Sequence, residues 1–92
     1  MKKEEIINIL MAQMEEYISG KISSIEYAGQ AEELINVSGQ EISDTVFYKE
    51  FMQTVPDLCL YYIDEPGAEQ DKEQKFKQGI HEVCLQLKKL QA

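Results

Sequence analysis

One histidine, His81, and two thiols, Cys59 and Cys84, are the groups in this chain best suited to nucleophilic catalysis or zinc binding. A catalytic Ser or Cys needs a base within hydrogen-bond reach, with the nucleophile presented on a tight turn. His81 instead falls beside Glu82 in a helical pattern, and no Gly-x-Ser-x-Gly turn occurs. A closed zinc site needs four ligands, and one histidine with two cysteines 25 positions apart cannot supply them. Each cysteine lies among aliphatic neighbours (Leu58 and Leu60; Val83 and Leu85) and reads as a small buried hydrophobe. These residues imply no enzymatic activity, no metal and no cofactor.

The carboxylates are more informative. From Glu50 to Asp71 the chain carries Glu50, Asp57, Asp64, Glu65, Glu69 and Asp71 without a lysine, and it has no arginine anywhere. The run Asp64–Asp71 lacks the alternating Asp-x-Asp-x-Asp-Gly order that gathers calcium ligands. An acyl carrier reading fails on the absent Asp-Ser-Leu or Asp-Ser-Met attachment site. Between Glu41 and Glu73 there are nine acids and two lysines, which concentrates most of the net charge of −8 in a third of the length. Acids on helices are commonly a solvated face. A field of one sign also steers a basic partner and repels polyanions, so direct nucleic-acid binding is disfavoured. Tyr48, Tyr61 and Tyr62 share the region, as core residues or as the aromatic anchors of an interface.

Ninety-two residues with 43% hydrophobic content predict one folded domain, residues 1–92. Ile6, Ile7, Leu10, Met11, Met14, Tyr17 and Ile18 follow helical spacing, and Gly20 is placed to end that helix. Ser23-Ser24-Ile25-Glu26 is a capping box with Ile22 and Tyr27 as its hydrophobic staple, opening a second helix that closes at Ser38-Gly39. Ser43 or Asp44 can cap a third, through Phe47, Phe51 and Val55, which Pro56 kinks or splits. Pro66-Gly67 marks a turn, and Phe76, Ile80, Val83, Cys84 and Leu87 define the fourth helix. Gly79 within it signals either a close helix neighbour or simple tolerance. The expected fold is all-α, a small antiparallel four-helix bundle. No apolar run approaches the ~20 residues of a membrane span, and the Met1-Lys2-Lys3-Glu4-Glu5 opening is unlike a secretory signal, so a cytoplasmic location is expected.

The segment Tyr17-Ile18-Ser19-Gly20-Lys21-Ile22-Ser23-Ser24-Ile25-Glu26-Tyr27 resembles the first interhelical turn of the colicin D immunity protein family. Phe51-Met52, the acidic Pro-containing stretch and the last helix follow in similar order. Asp57-Leu58 with Tyr61-Tyr62 more distantly resembles the tyrosine-pair helix of immunity proteins against DNA-cutting colicins. The first resemblance implies a cytoplasmic bacteriocin immunity protein that covers the active-site cleft of a tRNA-cleaving toxin, of colicin or contact-dependent growth inhibition type. It implies a basic nuclease domain as partner, no direct nucleic-acid or membrane binding, and a monomer or weak dimer when free. The expected toxin-binding residues are Asp57, Asp64, Glu65, Glu69, Asp71 and Glu73, as stand-ins for phosphates, with Tyr61 and Tyr62 as central contacts. The rival expectation is an acidic helical module that self-associates without a toxin.

Overall fold

The computed structural model describes residues 2–64, 67 and 69–91. Among them lie four α-helices and no strand: α1 (Lys3–Ile18), α2 (Ser24–Ser38), α3 (Val46–Asp64) and α4 (Glu69–Gln91), with a short 3-10 helix, Gly39–Ile42, between α2 and α3. The all-α four-helix expectation is met.

Local signals set the first two helices. At the end of α1 the Lys21 amide donates to the Glu16 carbonyl (2.9 Å) and the Gly20 amide to the Tyr17 carbonyl (3.0 Å). Gly20 has φ +86°, the left-handed conformation this C-terminal motif requires. Both halves of the capping box form: the Glu26 amide donates to Ser23 Oγ at 3.1 Å, and the Ser23 amide donates to Glu26 Oε1 at 3.2 Å.

The third helix departs from expectation at its start. Its N-cap is Thr45, whose Oγ1 accepts from the Tyr48 amide at 3.1 Å. The other two candidates are engaged elsewhere: Ser43 Oγ donates to the Gln40 carbonyl in the 3-10 helix, and Asp44 pairs with Lys3 of α1 at 2.6 Å. At Pro56, where a kink or a split is expected, the helix runs on without splitting. A proline inside a helix removes the amide that would bond four residues back, here to the Met52 carbonyl, at a cost of about 3 kcal/mol. Burial of Phe47, Phe51, Val55 and Tyr62 along one side of α3 outweighs that cost.

α3 lies along α4, while α1 packs against both α2 and α4. One core links all four helices, with Ile6, Leu10, Met14, Tyr27, Ile42, Phe51, Phe76, Ile80 and Leu87 almost wholly excluded from solvent. At one end of that core each helix contributes a ring. Tyr17 stacks on Tyr27 with centroids 5.3 Å apart, and Tyr62 stacks on Phe76 at 5.1 Å. α2 and α3 make no extended contact among the described residues, which leaves that side of the bundle open.

Candidate acidic interface

Glu50, Asp57 and Asp64 are spaced seven residues apart on α3, so they form a stripe that drifts by only about 20° per step. Asp57 and Asp64 are exposed and Glu50 is half-buried. Tyr61 sits between Asp57 and Asp64 in the helical register, half-buried at the junction with α4. A shallow depression there is lined by Thr54, Asp57, Leu58 and Tyr61 from α3 and by Gly79, Glu82, Val83 and Gln86 from α4. It presents two carboxylates beside a tyrosine, a combination suited to a cationic surface.

Gly79 faces α3 at this junction. A Cβ at that position would stand 2.8 Å from a methyl of Leu58, so an added side chain would oblige the Leu58 side chain to shift.

The eight expected contact residues divide into groups. Asp57, Tyr61 and Asp64 share the stripe, and Asp71 is exposed in the first turn of α4, where an acid also complements the positive end of the helix. Glu65 lies outside the described residues, as does the side chain of Glu69. Tyr62 and Glu73 are joined by hydrogen bonds within the fold, with Tyr62 buried and Glu73 at an exposed position. Tyr62 is 8% exposed and its hydroxyl points to Glu73 Oε1 at 3.5 Å, while Ser24 Oγ donates to the same oxygen at 3.0 Å. The single Ser24 proton is thereby used, so the Tyr17 hydroxyl, 2.8 Å away, donates to Ser24. Burial raises the Tyr17 hydroxyl above its ordinary pKa. Tyr62 is thus a core residue, and one Glu73 oxygen is occupied within the fold.

Glu82 and Gln86 join the depression without having been singled out in the sequence. The available signal was Gly79 followed by Glu82 and Gln86 at helical spacing, which places all three on one side of α4. His81 is exposed, Cys84 is buried and Cys59 is half-buried. Burial, with the Glu32 carboxylate as a second cause, pushes the Cys59 thiol up to about 11, away from nucleophilic use at neutral pH. Among the described residues no three His, Cys, Asp or Glu side chains gather as ligands for one ion. No helix there is long and apolar enough to cross a membrane.

Comparison with known proteins gave no match: no protein-family model, no curated protein and no solved structure is similar enough to place the chain in a family.

Proposed function

We propose that this chain is an immunity-type inhibitor that covers the basic cleft of a nuclease toxin, of the tRNA-cleaving kind, with the outer stripe of α3 and the start of α4. The observation that carries this reading is the juxtaposition of Asp57, Asp64 and Glu82 around the half-buried ring of Tyr61. Carboxylates stand in for the phosphates that such a cleft binds, and a tyrosine with one face already packed loses little freedom when the other is covered. The resemblance centred on Lys21-Ile22-Ser23 supports the same class. A self-associating module is the second reading, favoured by the exposed apolar side chains of Leu60 and Ile63.

The test is association with a basic nuclease domain, sought first in the neighbouring reading frame. Double charge reversal, Asp57→Lys with Asp64→Lys, is expected to slow association by about a hundredfold at low salt while leaving the helical circular dichroism spectrum unchanged. Unaltered association and protection would remove the stripe from the interface. A chain that sediments as a salt-insensitive dimer and ignores the nuclease would favour the second reading.

A further inference from the structure

The open side of the bundle is a groove between α2 and α3, about 290 Å³ in volume, walled by Ala31 and Ile35 on one side and by Val55 and Cys59 on the other. Its α3 lip continues outward through Leu60 and Ile63, which are 56% and 63% exposed although aliphatic. Surface of this kind, contiguous and rimmed by polar groups, marks an interaction site more often than a chance exposure. The volume sits just below the ~300–1,000 Å³ of small-molecule pockets. The lining on α2 runs from Ala28 to Asn36, about 12 Å at the helical rise of ~1.5 Å per residue. That length matches three anchors at positions i, i+4 and i+7 of a partner helix.

Charge selects among occupants. α2 holds Glu26, Glu32 and Glu33 with no lysine. Glu32 lines the groove itself. A second copy would bring another eight net negative charges to this face. We propose that the α2–α3 groove docks a cationic amphipathic helix of a partner protein, with aliphatic anchors over Val55 and Cys59 and a lysine or arginine beside Glu32. This surface faces away from the Tyr61 depression and does not depend on the toxin reading. Stripe variants test that reading, and groove variants test this one.

The experiment uses the full, isotope-labelled chain and an 18-residue peptide with leucines at i, i+3, i+4 and i+7 and lysines elsewhere. A glutamate peptide of the same leucine pattern serves as the counter-probe. The lysine peptide is expected to shift amide resonances in 28–36 and 52–63, and to bind at least about tenfold more tightly than the glutamate peptide. Leu60→Ser with Ile63→Ser, both at exposed positions and checked for folding by thermal melts, should weaken it by about tenfold. Glu32→Lys should weaken it by about fivefold, whereas Asp57→Asn with Asp64→Asn should change it by less than about threefold. Resonance shifts spread over the acidic surface, equal binding of the two peptides, or indifference to Leu60→Ser/Ile63→Ser would overturn the proposal. So would a homodimer that the same double variant dissolves, because the occupant would then be a second copy.

Discussion

Tyr27 shows how much a single polar atom weighs in a core of this size. Its ring is fully buried between Tyr17 and Phe76, where stacking and dispersion favour it, yet among the described residues its hydroxyl has no hydrogen-bond partner. A buried hydroxyl without a partner costs about 1–3 kcal/mol, and removing it forfeits no bond. Tyr27→Phe is therefore expected to raise stability by about 1 kcal/mol, read as a higher urea midpoint at unchanged slope. The same burial raises the hydroxyl far above its ordinary pKa. Because the folded-state value is the higher one, the associated stability is intact below the unfolded value near 10 and is lost as pH rises beyond it. Tyr27→Phe should accordingly blunt the alkaline loss of stability. A variant less stable than the parent at neutral pH would show that the hydroxyl contributes a bond. Tyr61 and Tyr62 make the complementary point. They are sequence neighbours of identical chemistry about 100° apart on α3, and the position of Phe76 on α4 decides which of them is core and which meets the surface.

At the scale of elements, α3 is where local and tertiary preferences compete. Pro56 leaves the Met52 carbonyl without its amide in the middle of a helix that α4 nevertheless holds together. Pro56→Ala is expected to stabilise the chain by up to about 3 kcal/mol, measured by urea denaturation. A loss of stability would mean that the pyrrolidine ring, part of the groove wall, packs too well to remove. Elements set by neighbours in sequence were legible: the Ser23–Glu26 box, the Gly20 terminus and the α4 stripe each need only a few adjacent residues. Elements set at a distance were not. Ser43, Asp44 and Thr45 can all cap a helix, and Thr45 takes the role because α3 starts at Val46, while Asp44 pairs with Lys3, 41 positions away. Half of the candidate interface was readable for the same reason. The Asp57–Tyr61–Asp64 register is intrinsic to one helix, whereas Glu82 and Gln86 enter through the α3–α4 packing that Gly79 only hints at. The α2–α3 groove left no local signal, since it arises from two helices that make no extended contact among the described residues.

For the whole molecule the governing quantity is a net charge of −8 with few compensating contacts. Among the described residues the ion pairs are Lys3–Asp44 and Lys88–Glu15, at 2.6 and 3.1 Å, and all four side chains are more than half exposed. Such pairs contribute little, so repulsion among the remaining acids is the larger electrostatic effect on the fold. Salt shortens the screening length from about 10 Å at 0.1 M to about 3 Å at 1 M. Screening relieves repulsion within the chain, and it would also weaken the proposed attraction between the α3 stripe and a cationic cleft. Raising sodium chloride from about 0.05 to about 0.5 M is therefore expected to increase the urea midpoint while slowing association with the nuclease domain by at least about tenfold. Asp57→Asn with Asp64→Asn should diminish both responses together, because the same two carboxylates contribute to each. A urea midpoint that falls with salt would show that the two ion pairs outweigh the repulsion. An association rate indifferent to salt would mean that the partner is recognised through apolar surface, and the stripe would lose its role. Opposite signs in one titration would tie the weakness of the fold to the field proposed to attract a basic partner.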